Sequence, residues 1–141
     1  QLTKNQGKGA AVKMGMLHAK GETRLFMDAD GSTSIAEVEK LIPFITKGYD
    51  VVVGSRLIMG AFKKIKQNFV REFLGWVYRR LVHMLINTDI KDTQNGFKLF
   101  FGEAAQKIFK AMETNGWSFD VEILLLAKKC TILLRKFRLC G

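Results

Sequence analysis

The sequence predicts an α/β fold, and three observations carry that prediction. Helical and strand-like segments alternate along the chain. Two short apolar runs, Leu25-Phe26-Met27 and Val51-Val52-Val53, end in an acidic turn and in Gly54-Ser55-Arg56, as buried strands of an open sheet end in loops. The 141 residues, 48% hydrophobic with a single Pro, contain no repeat, low-complexity tract or interdomain linker, so one compact unit over residues 1–141 is expected.

The elements follow in order. After the turn Gly7-Lys8-Gly9, residues 10–20 are rich in Ala, Met and Leu and read as a helix. Thr23–Met27 is a short apolar strand ending at Asp28. Residues 34–47 read as a helix, with Ser34 as N-cap, Glu37 at capping-box spacing, and Val38, Leu41, Ile42 and Ile45 facing the core. Pro43 conflicts with its interior and is expected to shorten or kink it. Residues 49–54 are β-branched and form a second strand. A basic loop leads to a long amphipathic helix over about 67–87, then a strand at 96–101 and a helix at 103–112. Residues 119–129 read as a helix and 131–137 as a strand.

Charge narrows the partners. Lys plus Arg outnumber Asp plus Glu by 23 to 13, a net +10, which favours phosphorylated substrates, anionic membrane or nucleic acid. Cys130 and Cys140 are too few for a disulfide scaffold or a zinc site, which makes a reduced, cytosol-facing chain the simpler expectation. The first residues lack the apolar stretch of a signal peptide. The most apolar long segment, 69–86, is interrupted by Arg71, Glu72, Arg79 and Arg80 and does not read as a membrane span.

The strongest local signal is Leu25-Phe26-Met27-Asp28-Ala29-Asp30-Gly31. A strand delivers two carboxylates to its carboxyl end, the edge where open α/β sheets bind ligands. Two hard oxygen donors suit Mg²⁺ or Mn²⁺, which complete their shells with water and phosphate oxygens. The plainer alternative is a turn stabilised by Asp30-Gly31. Upstream, Asn5-Gln6-Gly7-Lys8-Gly9 opens a helix whose N–H groups and lysine suit a phosphate, although it is not a Walker loop. Arg56 ends the second strand on the same edge, with a donor fork suited to phosphate, or simply sits in a solvated turn. The helix at 67–87 interleaves Phe69, Phe73, Trp76 and Tyr78 with arginines, as either a membrane-facing surface or an ordinary amphipathic helix. Trp117, Phe119, Asp120 and Glu122 either shape a ligand pocket or, more simply, serve as core anchors (Trp117 and Phe119) and as a helix cap and its first-turn acid (Asp120 and Glu122), and His18 and His83 carry no ligand spacing.

Five motifs in order carry a resemblance: Asn5-Gln6-Gly7-Lys8-Gly9-Ala10-Ala11-Val12, Asp28-Ala29-Asp30-Gly31, Gly54-Ser55-Arg56, Asp92-Thr93-Gln94-Asn95-Gly96-Phe97-Lys98-Leu99-Phe100 and Trp117-Ser118-Phe119-Asp120-Val121-Glu122. Together they resemble family 2 glycosyltransferases acting on polyprenol phosphates, most closely the dolichyl-phosphate β-glucosyltransferase branch and then the dolichol-phosphate mannose synthases. The resemblance runs from about residue 5 to 129.

It implies a GT-A fold, Rossmann-like and of the nucleotide-diphospho-sugar transferase kind. It also implies a nucleotide-sugar donor such as UDP-glucose, Mg²⁺ or Mn²⁺, and inverting transfer onto dolichyl or another polyprenyl phosphate. By that likeness Asp28 and Asp30 hold the metal and donor diphosphate, Lys8 and Gly9 lie near the donor phosphates, and Arg56 and Asp92 are active-site residues. Arg71, beside Lys63, Lys64 and Lys66, is the favoured ligand of the acceptor phosphate. The implied setting is peripheral, at the cytoplasmic face of a membrane: the plasma membrane in a prokaryote, the endoplasmic reticulum in a eukaryote. No nucleic-acid partner is expected.

The chemistry fits the composition. A phosphate monoester has a second pKa of about 6 and attacks as an anion, without surrendering a proton to a base. The demand on the protein is to bring two anions together.

Two departures from the family pattern stand out. The first strand unit has no counterpart here, so a partial GT-A fold is expected. The tail at 130–141 lacks the usual strand with a terminal Trp and carries Arg135, Lys136 and Arg138 instead. Two rival readings remain open at this point. The acidic strand end also resembles the nucleophile motif of haloacid-dehalogenase-type phosphatases, in which Asp28 would be phosphorylated and Asp30 would act as acid and base. A non-enzymatic basic module that binds membrane or nucleic acid is the other.

Overall fold

A computed structural model of the protein describes residues 4–31, 33–55, 95–130 and 132–138. The expected helix at 67–87, the basic cluster at 63–71 and residues Arg56, Arg71 and Asp92 lie outside the described residues.

The first helix, α1 (Lys8–His18), starts two residues earlier than expected. Gly7 precedes it at φ 99°, a left-handed conformation open to glycine, and the Asn5 side chain accepts from the Gly7 amide at 3.0 Å. Strand β1 (Thr23–Met27) has the expected bounds. The segment 34–47 divides into a 3₁₀ turn, Ile35–Glu37, and α2 (Val38–Thr46). The Ser34 hydroxyl accepts from the Ala36 amide at 3.3 Å, and Glu37 pairs with Lys40 at 2.6 Å. Pro43 sits inside α2, so the helix is shortened at its start rather than broken at the proline. Next come β2 (Val51–Ser55), β3 (Phe97–Phe101), α3 (Gly102–Ala111), α4 (Phe119–Lys129) and β4 (Leu134–Arg138).

The four strands form one sheet in the order β1-β3-β2-β4. β3 runs antiparallel to both β1 and β2, while β4 runs parallel to β2. The α/β class is as expected, but the sheet is mixed. Strand direction was not legible because β3 is buried on both faces and its pattern reads the same in either direction. The register sets Met27 opposite Phe97 and Val53 opposite Lys98. The carboxyl ends of β1 and β2 therefore share one edge with the amino end of β3.

The pleat sends alternate residues to two cores. Phe26, Val51, Val53 and Phe100 pack with Met16 of α1, Ile108 and Phe109 of α3, and Phe119, Ile123 and Leu124 of α4. Edge-on ring contacts join Phe26 to Phe119 at 5.6 Å and Phe100 to Phe109 at 5.3 Å. On the other face, Val52, Phe97 and Leu99 cover Leu41 of α2. The result is helices packed on both sides of the sheet. Among the described residues no helix is long and apolar enough to cross a membrane.

Phe109 is fully buried and touches the sheet through Phe100. Phe109→Ala is expected to cost about 3–5 kcal/mol of unfolding free energy, measured by urea denaturation, with the spread set by how far the cavity collapses.

Candidate functional site

The site is built on the shared sheet edge from four separate segments. β1 ends at Met27 and presents Asp28 on the same strand face as Phe26. The Asp28 amide donates to the Gly96 carbonyl at 2.8 Å, which extends the β1–β3 ladder one step beyond the strand. Its carboxylate lies over the Gly96 Cα: a Cβ there would run into the Asp28 carboxyl group. Gly96 is thus a cradle that a side chain would fill.

Lys8, the first residue of α1, reaches across to the same carboxylate. Its Nζ donates to Asp28 Oδ1 at 2.7 Å, with the two side chains 28% and 23% exposed. Three aromatic rings surround that ammonium, Trp117 at 5.0 Å, Phe26 at 5.6 Å and Phe119 at 5.7 Å from their centroids. These distances fall within cation–π range. Trp117 is 77% exposed. The expectation of a core anchor holds for Phe119, which is fully buried, and fails for Trp117, which sits in the loop before α4 against the Lys8 ammonium.

Gly9 has a packing partner. Its amide donates to the Asn115 carbonyl at 2.8 Å, and a Cβ on it would stand 2.5 Å from the Thr114 carbonyl oxygen. The loop at 113–118 is therefore seated directly on the start of α1. Glu122 holds that loop: its carboxylate accepts from the amides of Glu113 and Thr114, each at 2.8 Å. Burial pushes the Glu122 carboxyl up, but these hydrogen bonds and the Lys13 charge outweigh it and bring it below its ordinary value.

Beneath the site lies an ion pair that sequence reasoning missed. Lys98 of β3 has no solvent exposure, and its Nζ donates to Asp120 Oδ1 and to the Asn95 carbonyl, each at 2.5 Å. Asp120 is accordingly not a helix cap. Burial raises its carboxyl above the ordinary value, and the opposing Lys98 and Lys8 charges only partly offset that rise. The signal was present in the sequence as a single lysine inside Phe97-Lys98-Leu99-Phe100, since such a residue in a buried strand demands a counter-charge. The Asn95 side chain, 3% exposed, has no hydrogen-bond partner among the described residues.

Lys8, Gly9, Asp28 and the turn carrying Asp30 thus converge on one edge, with Asp28 in direct contact with Lys8. Arg56, Arg71 and Asp92 fall outside the described residues, so the structure does not test their part in the site. No group of three or more His, Cys, Asp or Glu is gathered among the described residues. The site fits a divalent cation that takes one or two carboxylates and draws its other oxygens from water and phosphate. The Asp28 carboxylate is a hard oxygen donor, partly solvent-accessible and given clear space by Gly96.

A helix-flanked sheet with an acidic strand end and a basic helix start at one edge defines an α/β protein. Comparison with known proteins makes this specific. The family model for glycosyl transferase family 2 matches residues 1–109, so the chain belongs to that family. It is similar to the dolichyl-phosphate beta-glucosyltransferase of Saccharomyces cerevisiae, 43% identical over 139 residues that cover 90% of this chain and 42% of that protein. The human protein of the same name is 37% identical over 137 residues, covering 90% of this chain and 41% of that protein. The chain thus spans well under half the length of these two relatives. Among solved structures, glucosyl-3-phosphoglycerate synthase from Mycobacterium tuberculosis, crystallised with Mn²⁺, UDP-glucose and phosphoglyceric acid, superimposes with a TM-score of 0.67 at 17% identity. The match covers 94% of this chain and 45% of that one, and it supports the GT-A fold. Family membership displaces the haloacid-dehalogenase-type phosphatase reading.

Two stability measurements follow. Lys98→Met leaves Asp120 buried without its counter-charge and is expected to cost about 3–5 kcal/mol in urea, while Lys98→Met with Asp120→Leu recovers most of the loss. For Glu122, the folded carboxyl lies below the ordinary 4.5. Its contribution is therefore present above 4.5 and disappears as pH falls through the lower folded value. Glu122→Gln should flatten that acid limb of the stability–pH curve.

Proposed function

We propose that the chain forms part of an inverting glycosyltransferase that moves a sugar, glucose, from UDP-glucose to dolichyl or another polyprenyl phosphate. The observation that carries this reading is the 43% identity to a dolichyl-phosphate beta-glucosyltransferase across 90% of the chain. It is supported by the acidic strand end, where Lys8 at the α1 start meets Asp28 at 2.7 Å.

In this reading Asp28 and Asp30 hold Mg²⁺ or Mn²⁺ against the donor diphosphate, and Lys8 and Gly9 border the donor phosphates. Arg56 and Asp92 complete the reacting centre, and Arg71 receives the acceptor phosphate. The bound divalent cation supplies positive charge to the leaving diphosphate. Lys8 supplies a further positive charge from the α1 start, where the helix N-terminus also favours anions. The acceptor phosphate is already anionic near neutral pH, so the chain's task is to orient it and offset repulsion between two anionic substrates. The proposed location is the cytoplasmic face of a membrane, the endoplasmic reticulum in a eukaryote, with the lipid acceptor reached from its surface.

The test is sugar transfer from UDP-glucose to dolichyl phosphate by the full-length protein containing this chain, with Mg²⁺ or Mn²⁺. Asp28→Ala with Asp30→Ala should lower the rate about 10³-fold, corresponding to several kcal/mol of charge stabilisation. Undiminished transfer by the double variant would sink the metal assignment, and transfer to no lipid phosphate would sink the acceptor.

A further inference from the structure

We propose that Lys8 is a resident counter-cation for Asp28, exchanged for the divalent cation when the donor binds, and that this exchange couples metal binding to diphosphate binding. The proposal rests on the reading of Asp28 as a metal ligand and goes beyond it, because it assigns Lys8 two partners in succession.

The Lys8 ammonium bonds Asp28 Oδ1 at 2.7 Å, so this carboxylate is already neutralised by a residue of the same chain. A like charge cannot remain on that oxygen once a divalent cation arrives, because the two would repel at contact distance. Lys8 has room to leave. It sits in the first turn of α1, both side chains are partly exposed, and its long stem turns about several single bonds.

Its surroundings keep it near. Trp117, Phe26 and Phe119 present their rings at 5.0, 5.6 and 5.7 Å from Nζ. Ring faces attract a cation without neutralising it. A displaced Lys8 ammonium therefore stays beside the strand end as an unspent positive charge, facing whatever anion the metal has brought.

The consequence is cooperativity. Either ligand arriving alone must break the Lys8–Asp28 pair and leave one member without a partner. Together they divide it, the metal on Asp28 and the diphosphate on Lys8, so each should bind more tightly in the presence of the other.

The experiment measures Mn²⁺ binding by the electron paramagnetic resonance of free Mn²⁺, and UDP binding by calorimetry in EDTA. It uses the full-length protein and the variants Lys8→Met, Lys8→Arg and Asp28→Asn. Lys8→Met should bind Mn²⁺ alone roughly tenfold more tightly than the unaltered protein, and bind UDP alone roughly tenfold more weakly. Lys8→Arg, which keeps the charge, should hold Mn²⁺ as the unaltered protein does and shows that the fold tolerates change at this position. If Lys8→Met binds Mn²⁺ no more tightly while Asp28→Asn abolishes the binding, the exchange is wrong and the metal reading survives. If Asp28→Asn leaves Mn²⁺ affinity unchanged, the metal reading itself is wrong and the exchange falls with it.

Discussion

A lysine ammonium without solvent exposure, in the middle of the central strand, sets the conditions for the rest of the site. A buried charge is tolerated only where it is paired and hydrogen-bonded. Lys98 meets that demand through two partners from different parts of the chain, the Asp120 carboxylate of α4 and the Asn95 carbonyl just before β3. The first contact fixes the start of α4 against the sheet. The second fixes the turn whose next residue, Gly96, carries the Asp28 amide and makes room for its carboxylate. A pair on the core side thus positions a carboxylate on the solvent side. The same arrangement fixes the loop before α4, which brings Trp117 to Lys8.

Much of this was legible in the sequence where local signals are strong. β1 and α4 have their expected bounds because each is a short apolar segment delimited by polar or glycine residues. The placement of Asp28 at a strand's carboxyl end followed from the same pattern. What was not legible depends on contacts distant in sequence. The direction of β3 is set by its partners, and its own residues are silent on it. Asp120 reads as a helix cap until Lys98, 22 positions earlier, is seen beside it. Trp117 reads as core because most tryptophans are largely buried, yet here it remains 77% exposed beside a cation. The start of α1 was misjudged because Gly7 and Gly9 read as a loop. They are glycines because the 114–116 backbone lies directly over them.

Electrostatics gives the chain's basic character a structural meaning. Lys8 and Lys98 both approach the Phe26 ring, with Nζ to ring-centroid distances of 5.6 and 5.8 Å, and each is bonded to one aspartate. The two pairs resemble each other in chemistry and differ in access. The Lys98 pair is sealed, and breaking it exposes nothing to a ligand. The Lys8 pair is open to solvent, so its members can be drawn to other partners. Burial alone separates a structural ion pair from one suited to binding.

On the proposed reading, that difference bears on how a family 2 domain whose chain carries net +10 would handle two anionic substrates without becoming a general anion trap. A site lined with unpaired cations would hold any phosphate, and product as tightly as substrate. A cation stored against a carboxylate contributes little net field until that carboxylate is claimed by something else. Specificity then rests on the simultaneous presence of a hard cation and a diphosphate, a combination that an isolated phosphate or nucleic-acid backbone does not supply. Such storage needs both partners presented at one edge of the sheet, as Lys8 and Asp28 are. The carboxylate is held by the backbone at Gly96 and the lysine by the helix start beneath the 113–118 loop, so neither element has to move for the pair to open.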